Sequence, residues 1–237
     1  MERNMGNLKK QAPVITIDGP SGSGKGTIAL RVAQALHWHI LDSGIIYRTI
    51  AWALSYYGVS LTDQKVIADL LKRLQIAVEN QPVVRNLKVS CDNHDITEAI
   101  RTEKCGALAS KASALSVVRR AVFQYQHDFR RWPGLVADGR DMGTVVFTNA
   151  TLKFYFDADS KERAYRRYRQ LQKQGINANL NEIQENVEER DRRDVNRMIS
   201  PTKPASDALI IDTTKLSIEE VFVKVMNHIK ERGDLVN

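Results

Sequence analysis

The stretch Gly19-Pro20-Ser21-Gly22-Ser23-Gly24-Lys25-Gly26-Thr27 limits what this chain can fold into more than any other. It follows a short β-branched run, Pro13-Val14-Ile15-Thr16-Ile17-Asp18. It leads into Gly26 to Leu36, where Ile28, Val32 and Leu36 recur at helical spacing. Strand, glycine turn and helix open an α/β unit. Glycines let the backbone fold with several N–H groups pointing at one anion, and the start of the helix adds partial positive charge. Lys25 brings a full charge to where the outer phosphates of a nucleoside triphosphate would lie. The usual pattern places Ser or Thr directly after the lysine, where the hydroxyl meets Mg²⁺. Here Gly26 stands there and Thr27 follows. The ion is therefore expected to be held mainly by phosphate oxygens and water. Thr27 is expected near the α-phosphate or a metal-bound water, and no side chain is assigned as a certain metal ligand.

The remaining chain continues the alternation. Strands are expected at Trp38–Leu41, Leu135–Asp138, Leu152–Phe156 and Ala208–Asp212. Helices are expected at Ile45–Tyr57, Asp63–Leu74, Thr97–Arg131, Ser160–Gln174 with Ser160 as cap, and Leu180–Met198. A last helix opens on the capping box Ser217-Ile218-Glu219-Glu220. Residues 75 to 96 differ: two runs alternate at strand period around Asn80-Gln81-Pro82 and read as a small antiparallel insert. The first twelve residues read as a frayed arm. There are no repeats and no clear linker, so the 237 residues are expected to form one doubly wound parallel sheet with excursions.

Lys and Arg number 35 against 28 Asp and Glu, a net charge of +7, which points to an anionic partner: a phosphorylated small molecule, nucleic acid or a membrane surface. The polar start lacks the apolar core of a signal peptide, and no apolar run approaches the roughly 20 residues that span a bilayer. A cytoplasmic protein with no membrane partner is expected. Cys91 and Cys105 form no CxxC pattern and are expected as reduced thiols; the histidines show no zinc-binding spacing.

Arginine placement bears on the acceptor of any phosphoryl group. Asp42-Ser43-Gly44-Ile45-Ile46-Tyr47-Arg48 puts a hydroxyl and a guanidinium about one helical turn apart; taken alone, a capping serine beside a surface arginine explains it better. Asp138-Gly139-Arg140-Asp141-Met142-Gly143-Thr144 lies at the carboxyl end of an apolar strand, beyond which ligands bind in open α/β sheets. Asp138 there is placed to approach Mg²⁺ or its waters, with a cap or salt bridge as the other reading. Residues 161–173 and 190–197 carry ten Lys and Arg against three Asp and Glu. Arg190, Asp194 and Arg197 share one helical face, and Arg163 and Arg167 another. Such runs are usually solvated faces. Arginine, however, outnumbers lysine here, and its planar fork suits bidentate phosphate contacts. Two such helices joined by the Gly175 to Asn179 turn are expected to form a mobile cover over the donor phosphates, with Arg163 and Arg167 as ATP-binding residues.

Four motifs together resemble the bacterial cytidylate kinase family, within the nucleoside-monophosphate kinases of the P-loop NTPases. They are Asp18 to Thr27, Asp42 to Arg48, Ala137 to Thr144 and Glu189-Arg-Asp-Arg-Arg-Asp194, in the family's order, and the likeness spans about residues 12 to 230. Adenylate kinases share the first motif but usually carry Asp-Gly-Phe-Pro-Arg at the third. The resemblance implies a P-loop NTPase core with a parallel sheet flanked by helices, in a single domain. A nucleotide-monophosphate-binding region would span about 43–131, with its β insert at 75–96, and a helical lid about 160–197. It implies phosphorylation of CMP and dCMP by ATP with Mg²⁺, a step of pyrimidine nucleotide metabolism. Ser43, Arg48, Ser110, Arg119, Arg140, Asp141, Arg190, Asp194 and Arg197 would line the CMP site. Ser110, Arg119 and Asp141 would face the cytosine, Arg190 and Asp194 the sugar, and Arg48, Arg140 and Arg197 the acceptor phosphate. Lys25, Arg140, Arg190 and Arg197 would act in catalysis. A monomer is expected.

Two other classes compete with this reading. Another P-loop kinase would take UMP, AMP or a small alcohol, the last leaving the acceptor-side arginines with no phosphate to hold. A basic nucleic-acid-binding protein is suggested by the charge, but no nucleic-acid fold motif or stacking pattern accompanies it, and no nucleic-acid partner is expected.

Overall fold

The first strand of the core, β1 (Val14–Asp18), has all five residues buried, as a strand covered on both faces should. The computed structural model describes residues 11–80, 87–173 and 175–233. β1 is the centre of a five-stranded parallel sheet. One side is completed by β6 (Leu135–Gly139) and β2 (His39–Asp42), the other by β7 (Leu152–Asp157) and β8 (Leu209–Asp212), giving the order β2-β6-β1-β7-β8. The register pairs Ile17 with Asp138 and with Phe154, so all the carboxyl ends open on one edge. Side chains alternate between the faces. Val14, Leu41, Leu135 and Ala137 enter one core, while Ile15, Ile17, Val136, Phe154, Phe156 and Ile211 enter the other.

The second of these cores lies under α1 (Lys25–Leu36) and α8 (Ile218–Glu231), through Ile28, Val32, Val221, Val225 and Ile229. Burying Phe154 and Phe156 here contributes roughly 1.5–3 kcal/mol each. Ser217 and Glu220 form the expected capping box at the start of α8. The first core is larger. It is covered by α2 (Ser43–Tyr56), α3 (Gln64–Arg73), α4 (Glu103–Ala112) and α5 (Ser116–His127). It also takes in Val89 and Cys91 of a small antiparallel sheet, made of β3 (Ile76–Asn80), β4 (Leu87–Cys91) and β5 (His94–Asp95). The insert therefore packs on the main core instead of forming a core of its own. The turn placed at Asn80-Gln81-Pro82 lies partly outside the described residues. Cys91 and Cys105 are buried and unbridged.

α6 (Ser160–Lys173) and α7 (Leu180–Val195) form a third, separate unit. Ala164, Leu171 and Ile183 make their own small core, with Tyr168, Ala178 and Val187 against it.

Several boundaries depart from the sequence reading. Thr97–Arg131 is not continuous helix: a 3₁₀ turn, Ala99–Arg101, precedes α4, and Ser113-Ala114-Leu115 separates α4 from α5. Ser160 is not a cap; the Asp159 carboxylate accepts the N–H groups of Lys161 at 2.9 Å and Glu162 at 3.3 Å. Asp42, and not Ser43, caps α2, accepting the Ile45 N–H at 3.1 Å. α7 ends at Val195, so Arg197 lies past it. Ala12, counted into the N-terminal arm, is buried, and its carbonyl accepts Arg130 Nε at 2.7 Å. Residues 1–10 and Gln174 lie outside the described residues. Among those described, no helix is long and apolar enough to cross a membrane.

Candidate active site

The carboxyl end of β1 runs straight into the glycine loop. Gly19 has φ +145°, and a Cβ on it would sit 2.1 Å from the Phe156 carbonyl oxygen of β7, so only glycine fits. Gly24 caps α1 in the left-handed region, at φ 88°. Lys25 is buried, and its Nζ donates to the Pro20 carbonyl at 3.0 Å, back across the loop. Burial, followed by the charge of Arg140, lowers its pKa to about 8 against the pull of Asp138. A lysine so placed gains greatly from an incoming polyphosphate.

A cavity of about 830 Å³ opens from the loop. Ser21 to Thr27 line it on one side, and Arg163, Arg166 and Arg167 of α6 and Arg190 of α7 on another. Arg163 is buried and ties α6 to the loop: Nε donates to Ala158 O at 2.9 Å and Nη1 to Ser21 O at 3.0 Å, and it pairs with Asp191. Arg167 instead bridges the lid to the start of α4, donating to Glu103 Oε1 at 2.6 Å. The far wall, Thr213 to Ile218 with Val221, comes from the β8–α8 connection. The sequence reading missed this wall and Arg166, whose Nη2 donates to Thr213 O at 2.6 Å. The signal was available, since β8 ends at the same carboxyl edge that positions every other loop of the site.

A second cluster is built around one carboxylate. Asp194, 2% exposed, accepts Ser110 Oγ at 3.1 Å and Arg140 Nε at 3.1 Å, and pairs with Arg197; Arg190 Nε lies 4.0 Å away. Burial alone would raise its pKa, but Arg140, Arg197 and Arg190 outweigh that and hold it at about 2. Five of the predicted residues, from α4, the end of β6 and the end of α7, thus meet at one point. Arg197 reaches it although the helix has already ended. A second pair, Arg119 with Asp141, sits beside Tyr47, and burial pushes the Tyr47 hydroxyl up to about 12. Arg119 faces inward while the neighbouring Arg120 is exposed.

Ser43 is buried at the start of α2; a Cβ on Gly139 would lie 2.8 Å from its Oγ. Arg48 stands apart from the Asp194 cluster. Its Nη1 donates to the carbonyls of Ile100 at 2.6 Å and Thr102 at 3.1 Å, and it lines the cavity that opens from the glycine loop. Burial lowers its pKa.

Asp138 lies between the two halves. Burial raises its pKa to about 7 against the charge of Lys25. Its Oδ1 is buried with no hydrogen-bond partner, and its Oδ2 would be 3.0 Å from a Cβ on Gly26. The glycine after the lysine therefore makes room for this carboxylate. The unsatisfied Asp138 oxygen is a hard donor of the kind that suits Mg²⁺ or its waters, and the hydroxyl-bearing Thr27, next after Gly26, is exposed.

Taken with the strand order, a phosphate loop at the central switch point and an arginine-rich cleft beside it define a P-loop phosphotransferase. Comparison with known sequences narrows the class. The cytidylate kinase family model matches residues 15–231. The chain is 68% identical to the cytidylate kinase of Coxiella burnetii over 97% of each chain. It is 48% identical to that of Stutzerimonas stutzeri, covering 94% of this chain and 97% of the relative. Against that of Nitrosococcus oceani the identity is 47%, covering 92% of this chain and 96% of the relative. The chain belongs to the cytidylate kinase family, a family of nucleoside-monophosphate kinases. That membership disfavours the nucleic-acid-binding alternative.

Proposed function

We propose that this chain transfers the γ-phosphoryl group of ATP to CMP and dCMP. The observation that carries the reading is the Asp194 cluster. It gathers Ser110, Arg140, Arg190 and Arg197 beside a loop whose Lys25 feels the charges of Arg140 and Arg190. The loop backbone from Gly19 to Thr27 and Lys25 hold the donor phosphates, and Arg163 and Arg167 close over them. Arg48, Arg140 and Arg197 hold the acceptor phosphate, Arg190 and Asp194 the sugar, and Ser110, Arg119 and Asp141 the cytosine, with Ser43 beside them. In these terms residues 43–131 are the acceptor-binding region and 160–197 the lid.

The chemistry asks for no general base, because the attacking atom is a phosphate oxygen that is already anionic. The barrier lies in bringing two anions together and in the charge that spreads over the transferred group. Lys25, Arg140, Arg190 and Arg197 offset both. Asp138 and Thr27 are the residues that would help to hold Mg²⁺, which when bound would supply further charge neutralisation. Lid closure excludes the water that would otherwise accept the phosphoryl group. The protein acts as a cytoplasmic monomer in this reading.

The test is ADP release with CMP, dCMP, UMP and AMP as acceptors. CMP and dCMP should turn over fastest; preference for AMP, or no turnover with CMP, overturns the assignment.

A further inference from the structure

Asp18 is a buried carboxylate that the chemistry above leaves unused. It is the last residue of β1, directly ahead of the phosphate loop, and is 4% exposed. Its Oδ1 accepts the Met142 N–H at 2.8 Å, and its Oδ2 accepts the Gly143 N–H at 2.7 Å. Those are the first two N–H groups of the short π turn Met142–Val146 that follows Arg140 and Asp141.

The residue that ordinarily caps such a turn is the one just before it, and aspartate is among the best capping residues. Here that residue is Asp141, yet its side chain makes no capping bond and pairs with Arg119 instead. Asp18 takes the Gly143 N–H, a donor that a capping Asp141 would take, and the Met142 N–H ahead of it. We propose that Asp18 is a positioning residue for acceptor recognition: by capping this turn from β1, it leaves the Asp141 carboxylate turned toward Arg119 and the acceptor cleft. The inference rests on the reading that Asp141 faces the acceptor base.

Gly143 completes the arrangement. A Cβ there would lie 2.9 Å from Thr16 Oγ1 and 3.3 Å from Asp18 Oδ2, so the turn approaches β1 closely only because this residue has no side chain. The carboxylate is also held at a cost. Burial, and to a lesser degree the charge of Asp141, raises its pKa to about 7, against both N–H groups and Arg140.

The experiment is a double-mutant cycle on the full chain with Asp18→Asn, Asp141→Ala and the pair. It reads kcat/KM for CMP and for UMP, the KM for ATP, and thermal unfolding. Asparagine offers one acceptor and turns an N–H₂ group on the second amide. The CMP-over-UMP ratio should fall about tenfold in Asp18→Asn, through misplacement of one recognition group, with the ATP KM unchanged within twofold. In the Asp141→Ala background, adding Asp18→Asn should leave the ratio where it was. Gly143→Ala crowds the same turn from the other side and should lower the ratio too, which keeps the test open if Asp18→Asn does not fold. An unchanged ratio in a folded Asp18→Asn protein, or an equal drop in both backgrounds, overturns the inference. If Asp141→Ala alone leaves the ratio unmoved, the reading of Asp141 fails first, and that outcome is distinct from failure of Asp18.

Discussion

In the proposed reading, the donor loop and the acceptor cleft handle the same chemical group by opposite means. The loop is nine consecutive residues whose backbone would do the binding, and its one full charge, Lys25, rests on a carbonyl of the same loop. The cleft is a set of side chains from α5, the end of β6 and the end of α7, held in place by ion pairs to Asp194 and Asp141. Backbone N–H groups can cradle any polyphosphate and discriminate little. Charged side chains held by buried carboxylates can be lost or moved one at a time, so selectivity should reside there. The difference also predicts unlike responses to mutation.

The largest effects test the charges that both regions direct at the transferred group. Lys25→Ala and Arg140→Ala should each lower kcat about a hundredfold or more, the usual consequence of removing one preorganised charge donor. The comparison becomes sharper if Lys25→Ala acts mainly through kcat and the ATP KM while Arg140→Ala also raises the CMP KM. Near-normal turnover in either folded variant would break the assignment of these side chains.

Asp194 provides the next test, on stability. Its pKa is held near 2 in the folded protein, below the ordinary 3.8. The unfolded chain therefore binds more protons in that window, and stability falls as pH falls from about 4 to about 2. A shift of this size corresponds to about 2 kcal/mol. Urea unfolding of the parent and of Asp194→Asn at pH 5 and pH 2.5 checks it. The parent should lose more over that interval; equal losses would mean that the arginines do not stabilise the folded state through this carboxylate. The donor loop offers no comparable acid-labile ion pair.

The two regions were also unequally legible in the sequence. The loop could be derived from composition and order alone, because a backbone-built site is contiguous. The acceptor residues were legible as a set only through four motifs in a family's order. Spacing on one helix suggested the meeting of Arg190, Asp194 and Arg197, but Ser110 and Arg140 arrive from 84 and 54 residues away. The π turn at Met142–Val146 gave no periodic signal, being one irregular turn whose N–H groups are satisfied by Asp18, more than 120 residues earlier. Arg166 lies three residues from Arg163 on the same helical face, but what gives it a place at the cavity is its bond to the β8–α8 connection, which its own helix could not announce. Helix ends failed where a competing cap stood next door: Asp159 beside Ser160, and Asp42 beside Ser43.

Selectivity should follow the same division. Asp141→Ala removes the partner of Arg119 at the cleft. It should lower the preference for CMP over UMP by about tenfold, near the value of one lost polar contact, and leave the ATP KM almost unmoved. Competition assays with both acceptors read the ratio directly. A change in ATP KM larger than the change in the ratio would show that the two regions are less separable than their construction implies.

The smallest effect belongs to the contact that joins the regions. Arg167 of the lid pairs with Glu103 at the start of α4, and Glu103 is 54% exposed. An exposed pair of this kind contributes less than about 1 kcal/mol, so Glu103→Gln should barely change unfolding. Its sign on catalysis is informative all the same. If Arg167 is to close over ATP phosphates, it must leave Glu103, and removing that carboxylate should lower the ATP KM by about threefold or less, with the CMP KM unchanged. A rise in the ATP KM would mean instead that Glu103 holds Arg167 where the donor needs it, and the lid and the acceptor region would then act as one unit in binding ATP.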